Sequence, residues 1–227
     1  ETLSRVDHFV FDKTGTLTEG KMSVAQLHIA PGVTKENILR SAAAVERYSE
    51  HSVAKAIVAE ADAQQLSYRD IAAEGFHVTA GLGVEAGVEG KTVLLGSAEW
   101  LTRRGIAPDA ELQAQAHELE AQAMSCVHVA MGGAHLAVFA LADKLRGDAR
   151  QLVDELRAAG IGMTLLSGDR KPVAEAIARQ LGGMDVIAEV LPQDKDRVIH
   201  QLQQRGAVVA MVGDGINDAP ALIRADV

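Results

Sequence analysis

The chain has 227 residues, 48% hydrophobic and 23% charged, which describes a folded protein long enough for two domains of about 100 residues each. A formal net charge of −9 excludes nonspecific nucleic-acid binding, which needs a basic surface to displace counterions. The single cysteine, Cys126, excludes an intrachain disulfide and a cysteine-based metal cluster, and in the alternating run "MSCVHVA" it reads as an inert core thiol.

In chain order, "RVDHFVFD" reads as an apolar strand that stops at Asp12, followed by the threonine- and glycine-rich "KTGTLTEG". Two alanine-rich helices are expected at roughly 34–48 and 52–65. Short strands with hairpin signals follow in "HVTAGLGVEAGVEGKTVLLG" and in "SCVHVAMGGAHLAVFAL", the latter turning at Gly132-Gly133. A helix at about 108–123 lies between them.

From there helices and strands alternate. "DARQLVDELRAAG" places Leu152, Val153 and Leu156 on one helical face, with Gly160 as a stop. "IGMTLLSGD" is a strand ending at Ser167-Gly168-Asp169. "KPVAEAIARQLGG" is a helix with Pro172 in its first turn and Gly182-Gly183 past its end. After the short strand "DVIAEV" come the helix "QDKDRVIHQLQQRG" and the buried strand "AVVAMV", which breaks at Gly213-Asp214-Gly215.

Alternation of this kind means βαβ units and a parallel sheet, whereas the middle block is α+β with antiparallel strands. The lone first strand needs a sheet to join. The expected organisation is therefore one parallel domain in two segments, 1–22 and 141–227, interrupted by an inserted domain at 23–140. The abrupt ends at Glu1 and Val227 read as those of a piece of something larger, with no signal peptide and no apolar run approaching a membrane span.

Asp12, Ser167-Gly168-Asp169 and Gly213-Asp214 each end an apolar strand, and such ends lie together at the carboxyl edge of a parallel sheet. Any one of these aspartates alone is an ordinary loop cap. Asp12 and Asp214, gathered there with the nearby Asp218, would repel by about 4 kcal/mol per pair at 4 Å and an effective dielectric of 20 unless a cation lay among them. Oxygen ligands without clustered Cys or His point to Mg²⁺. A nucleophilic aspartate beside Mg²⁺ suits phosphoryl transfer, with Ser167, the Gly168 amide, Asn217 and Lys195 as donors to the phosphate.

Asp12-Lys13-Thr14-Gly15-Thr16-Leu17-Thr18 resembles the phosphorylation signature of P-type ATPases. "GDGINDAPAL" is similar to their hinge motif, "LLSGD" to their Thr-Gly-Asp element with Ser for Thr, and "LPQDK" to their Pro-x-x-Lys element. The resemblance runs across the whole chain. It implies an α/β fold: a haloacid-dehalogenase-like Rossmannoid parallel-sheet domain carrying an inserted α+β domain built on an antiparallel sheet. It further implies that Asp12 accepts the γ-phosphate of ATP. Asp12, Asp214 and the Thr14 carbonyl would hold Mg²⁺ with Asp218 in support, and Ser167, Gly168, Lys195 and Asn217 would hold the phosphate.

Phosphatases of the same superfamily carry an aspartate two residues after the nucleophile, where this chain has Thr14. A threonine hydroxyl is no general base near neutral pH, so an aspartyl phosphate should persist. That speaks against a stand-alone phosphatase. Retention of Asp12, Lys195 and Asp214 together speaks against a nonenzymatic nucleotide sensor.

In the insert, "ERYSEHSVAKAI", "AGLGVEAG" and "LLGS" resemble the nucleotide-binding elements of the heavy-metal-transporting branch. By that resemblance Glu46 and His51 face the adenine, and Gly81, Gly83 and Gly96 let the backbone approach the nucleotide. Ser97 stands where that branch often has Asn, and Ser52 where it has Pro. The remaining histidines are scattered and carry no assigned role.

The implied whole is a pump on the cytoplasmic face of a membrane that exports a heavy-metal ion bound elsewhere. Cu⁺ is favoured over Zn²⁺ or Cd²⁺, and the partners are the pump's own transmembrane and actuator domains. Closure about hinges near 20–24 and 138–143 would bring ATP to Asp12.

Overall fold

The computed structural model describes residues 3–215 and 218–227. Asn217, expected among the phosphate donors, lies outside the described residues. The chain forms two compact units, Glu1–Lys21 with Asp143–Val227, and Met22–Ala142. In order, the first elements are β1 (His8–Asp12), β2 (Thr18–Ile29), α1 (Lys35–Glu46), α2 (Ser52–Ala63), β3 (Ala73–Thr79), β4 (Gly83–Val88) and β5 (Lys91–Gly96). Next come α3 (Ala98–Arg103), α4 (Ala110–Ala121), β6 (Ser125–Met131) and β7 (Ala134–Leu145). The remainder comprises α5 (Ala149–Ala158), β8 (Gly162–Leu166), α6 (Lys171–Gln180), β9 (Asp185–Ile187), α7 (Lys195–Gln204), β10 (Val209–Val212) and α8 (Ala219–Arg224).

The first unit is built on a four-stranded parallel sheet in the order β10-β1-β8-β9. β1 lies inside it, with Phe11 opposite Val212 on one side and Leu165 on the other. Val10, Leu166, Val209 and Met211 pack against Val198 and Ile199 of α7 and Ala221 of α8. Burial on both faces explains why these strands read as unbroken apolar runs. The chain moves from β1 to β8 and β9 on one side, then returns to β10 on the other. β1 and its neighbours therefore flank a topological switch point, where a parallel sheet opens a crevice at its carboxyl edge.

One helical face departs from expectation. Leu152 is 42% exposed, and the buried positions of α5 are Ala149 and Val153, one turn apart.

The second unit is a six-stranded sheet in the order β2-β7-β6-β5-β4-β3, with antiparallel pairing from β3 through β7. Its two faces are buried against different helices. Val93, Leu95, Val129 and Phe139 join Ile38, Leu39, Ala42 and Ile57 of α1 and α2. The alternate residues Leu94 and Ala130 pack with Trp100 and Leu101 of α3, and Val138 packs with Leu112 and Ala116 of α4. This period of two is what allows one strand to serve two helical layers. α3 was not expected from the sequence, since six residues give too short a periodic signal. Cys126 is half-buried beside that second layer, its thiol 3.5 Å from the Ala116 carbonyl.

β2 starts in the first unit and ends in the second, and β7 makes the return. The segments 20–24 and 138–143, read above as hinges, are strand residues.

Candidate functional site

The register of the first unit's sheet defines one edge. Asp12, the last residue of β1, stands opposite Leu166, and its neighbour Phe11 stands opposite Val212. The loops that begin at Ser167 and Gly213 therefore leave the sheet beside Asp12. After Asp12 the backbone departs from strand geometry: Thr14 stays extended at φ −76°, ψ 123°, and Gly15 turns at φ +79°, where glycine has no Cβ penalty.

This turn is held by three side chains. The Thr18 hydroxyl, wholly buried, donates to Asp143 Oδ2 at 2.6 Å and accepts from the Gly15 amide at 3.2 Å. Asp143 Oδ1 accepts from the Lys21 amide at 3.0 Å. Arg146 donates to the Gly15 carbonyl at 2.9 Å. Thr18 closes the signature run, whereas neither Asp143 nor Arg146 was singled out from the sequence. Their signal is tertiary, because Asp143 and Arg146 lie more than a hundred residues from the turn they fix.

Asp12 and Lys195 are both buried, with Lys195 Nζ 2.5 Å from Asp12 Oδ1 and 2.6 Å from Asp218 Oδ1. Lys195 opens α7, and Asp218 stands immediately before α8. Burial raises the Asp12 pKa, with Asp218 and Asp214 adding to the rise and Lys195 opposing it. Burial also works against the Lys195 ammonium, but its bonds to Asp12 and Asp218 outweigh that and hold its pKa above the ordinary lysine value. Lys195 is thus a fixed cation between two carboxylates.

The sequence reading placed a metal ion as the cation among three gathered aspartates. In the structure Lys195 stands between Asp12 and Asp218, and Asp214 is near enough for its charge to act on Asp12. Among the described residues, no three His, Cys, Asp or Glu side chains converge enough to hold a metal alone. Asp214 is exposed and lies over the turn, since a Cβ on Gly15 would be 3.6 Å from Asp214 Oδ2.

The donor set still fits Mg²⁺. Asp12 and Asp214 are close enough for the charge of one to act on the other, and two carboxylates with a carbonyl and waters suffice for that ion. Asp218 Oδ2 is fully buried without a hydrogen-bond partner among the described residues, an orphaned acceptor that a second cation or its water would satisfy. Two carboxylates on one ammonium, with Asp214 acting on Asp12 as well, also leave the site short of positive charge.

Ser167 is buried, and its hydroxyl donates to Asp169 Oδ2 at 2.8 Å while accepting from the Asp169 amide at 3.1 Å. Lys13, also buried, reaches the same Asp169 oxygen at 2.7 Å. The residue after the candidate nucleophile is thus tied to the loop expected to hold phosphate. At Gly168 a Cβ would meet the Val190 carbonyl at 3.4 Å, so the loop leaves little room there.

In the second unit, Glu46 ends α1 and is buried, and burial raises its pKa to about 7. His51 is exposed and caps α2, its Nδ1 accepting from the Val53 amide at 3.3 Å. That bond leaves the proton of the neutral ring on Nε2. Ser52 is the first residue of the helix and not its cap.

Gly83 and Gly96 face each other across β4 and β5. A Cβ on Gly83 would stand 2.2 Å from the Leu95 carbonyl oxygen, and one on Gly96 would stand 2.3 Å from that of Leu82 and 2.7 Å from the Trp100 ring. Glycine at these two places is therefore required by strand-to-strand and Trp100 packing, whatever else passes nearby. Gly81 is exposed at φ +72°. Ser97 caps α3, its hydroxyl accepting from the Trp100 amide at 3.1 Å.

A family model described as haloacid dehalogenase-like hydrolase matches residues 6–226. The chain is 42% identical over 226 residues to a probable copper-exporting P-type ATPase V of Mycobacterium tuberculosis, covering 100% of this chain and 29% of the relative. It is 43% identical over 228 residues to a copper-exporting P-type ATPase of Vibrio cholerae, covering 100% of this chain and 24% of that one. The chain thus spans under a third of the length of these curated relatives.

Among solved structures, the catalytic CPx-ATPase domain CopB-B is similar with a TM-score of 0.72 and 30% identity, over 100% of this chain and 78% of that one. A zinc-transporting PIB-type ATPase in its E2.Pi state gives a TM-score of 0.66 and 40% identity, over 99% of this chain and 36% of that one.

Proposed function

Because the chain belongs to the haloacid dehalogenase-like hydrolase family and is homologous to copper-exporting and zinc-transporting P-type ATPases, we propose that it is the ATP-binding, autophosphorylating unit of a heavy-metal pump. The observation that carries this reading is the buried Asp12 carboxylate at the sheet's switch point, held 2.5 Å from Lys195.

In the proposed reaction an Asp12 oxygen attacks the γ-phosphorus of ATP. The acyl O–P bond forms while the bond to the β,γ-bridging oxygen breaks, and ADP leaves with that electron pair. Lys195 opposes the rise that burial causes in the Asp12 pKa and would supply positive charge where negative charge develops on the transferred group. Ser167, Gly168 and Asn217 are assigned to the phosphate oxygens, and Ser167 must turn from Asp169 to reach them. Lys13 and Asp169 position that loop. Mg²⁺, held by Asp12, Asp214 and the Thr14 carbonyl with Asp218 in support, would supply positive charge to the phosphate oxygens.

Thr14 offers no base to activate water against the aspartyl phosphate, so the phosphoenzyme should persist. Glu46, His51, Gly81, Gly83 and Gly96 are assigned to the nucleotide. The inserted unit at 23–140 is the nucleotide-binding domain, and 1–22 with 141–227 is the phosphorylation domain.

Among the described residues no helix is long and apolar enough to cross a membrane. The transmembrane and actuator parts, the cytoplasmic placement and the transported ion belong to the larger pump of this proposal. Cu⁺ is the proposed cargo on the strength of the copper-exporting relatives. Zn²⁺ is the second reading, which the zinc-transporting neighbour favours.

The test is incubation with Mg-ATP labelled at the γ-phosphate, an acid quench, then hydroxylamine. Acid-stable label released by hydroxylamine and absent from Asp12→Asn supports the proposal. Label that resists hydroxylamine, or that survives in Asp12→Asn, refutes it.

A further inference from the structure

We infer that Glu46 reads the nucleobase of ATP as a neutral carboxylic acid, so that preference for ATP over GTP depends on protonation of this one side chain. The inference rests on the nucleotide-binding reading of the second unit and deepens it.

The geometry is unusual for a glutamate. Glu46 closes α1 and is only 4% exposed. Its carbonyl accepts from the Ser49 amide at 2.8 Å, turning the chain toward His51 at the start of α2. Among the described residues its carboxyl makes no hydrogen bond or ion pair. A carboxyl that is nearly but not wholly buried, and unpaired, is placed to meet a ligand. The C-terminal end of a helix also disfavours negative charge.

The charged groups around it are engaged elsewhere or exposed. Arg47 donates to the carbonyls of Arg69 and Ile71, Arg40 pairs with Glu89 at 3.0 Å, and Lys55 pairs with Glu50 at 3.0 Å. From the strands that face α1, Glu85 pairs with Arg104 at 2.6 Å, while Glu74, His77 and Lys91 are exposed. On α2, Glu60 is half-buried and hydrogen-bonded to Gln64, and His51 is the cap. Burial is the cause that moves Glu46, to a pKa of about 7.

The two protonation states prefer different bases. Adenine presents an N6 amino donor beside the N1 acceptor. A neutral acid matches both, its carbonyl accepting from N6 and its hydroxyl donating to N1. A carboxylate has no proton for N1 and sets a lone pair against it. Guanine presents N1–H and N2–H donors side by side, which a carboxylate accepts together. Rising pH should therefore weaken ATP binding while GTP binding holds or improves.

The experiment is calorimetric titration of the folded chain with ATP and with GTP at pH 6 and 8.5, beside Glu46→Gln. The amide keeps the donor–acceptor pair at every pH. If only the neutral acid binds, ATP affinity falls about 30-fold across this range for a pKa of about 7. Glu46→Gln should show no such fall, and the nucleotide's own phosphate titration cancels between the two proteins.

At pH 8.5, buffers of different ionisation enthalpy should report uptake of close to one proton with ATP in the parent and none in Glu46→Gln. Thermal melts check that both are folded. Equal pH profiles in the two proteins, or an ATP-to-GTP ratio that does not move, overturns this inference and leaves the nucleotide site standing. Binding of neither nucleotide at any pH overturns the nucleotide-site reading itself, and this inference with it.

Discussion

Gly213 and Asp218 are packed so closely that a Cβ on Gly213 would stand 2.5 Å from Asp218 Oδ2 and 3.0 Å from its Cβ. The last strand is thus followed by glycine because a wholly buried carboxylate occupies the space beside it. Asp218 in turn holds Lys195, so this contact bears on the nucleophile two steps away.

Gly213→Ala should displace Asp218 and with it Lys195. The expected cost is about 1–3 kcal/mol of stability, as for overpacking elsewhere, with at least a tenfold loss in the rate of Asp12 labelling. Urea denaturation and a labelling time course check the two effects. An alanine protein of parent stability and rate would contradict the packing described.

Lys195→Met keeps the length of the side chain and removes its charge. Asp12 and Asp218 are then left buried without the cation between them, at a cost of about 3–5 kcal/mol. Adding Asp218→Asn should restore part of the stability and none of the labelling, because the second change relieves repulsion without returning the ammonium. Recovery of labelling in the double variant would show that Lys195 acts only on the fold.

Glu46 also makes stability depend on pH, whether or not nucleotide binds. Its folded pKa of about 7 lies above the ordinary value of 4.5, so between those limits the folded chain binds more protons than the unfolded one. Stability therefore declines as pH rises from about 4.5 to 7, by up to about 3 kcal/mol at 1.36 kcal/mol per unit. Glu46→Gln should remove that slope and be the more stable protein at pH 8. Denaturation midpoints of the two proteins at pH 5 and 8 settle it, and parallel pH profiles would contradict the burial of an ionisable carboxyl.

Ser52→Pro tests the start of α2. His51 has φ −66° and ψ 147°, the conformation favoured before proline, and Ser52 sits where a helix tolerates proline. The variant should gain about 0.4–1 kcal/mol by restricting the unfolded chain. ATP affinity should be equal or tighter, and a clear loss in a calorimetric titration would contradict this.

The three strand ends that carry Asp12, Ser167 and Asp214 were legible because parallel strands buried on both faces leave unbroken apolar runs that stop abruptly. The antiparallel insert was legible from its paired glycines. What could not be read were relationships that exist only once the chain has folded. The bridge of Lys195 between Asp12 and Asp218 spans 183 residues on one side and 23 on the other. The sequence offered Lys195 as a donor to the phosphate, but not as the cation that joins the two aspartates. The clamp of Thr18 and Asp143 spans 125 residues and left no local trace. Gly83 and Gly96 were seen as ligand-facing, but their tight packing against β-strand carbonyls and Trp100 depends on strand register. The exposure of Leu152 and the capping role of Ser97 likewise follow from what packs nearby.

The most direct measurement is the position and lifetime of the phosphoryl group after reaction with Mg-ATP. Borohydride reduction followed by peptide sequencing should find the modified residue at Asp12, and after a chase the label should decay at least ten times faster in Thr14→Asp than in the parent. Modification at another residue, or the same decay in both proteins, would contradict an aspartyl phosphate protected by the missing base.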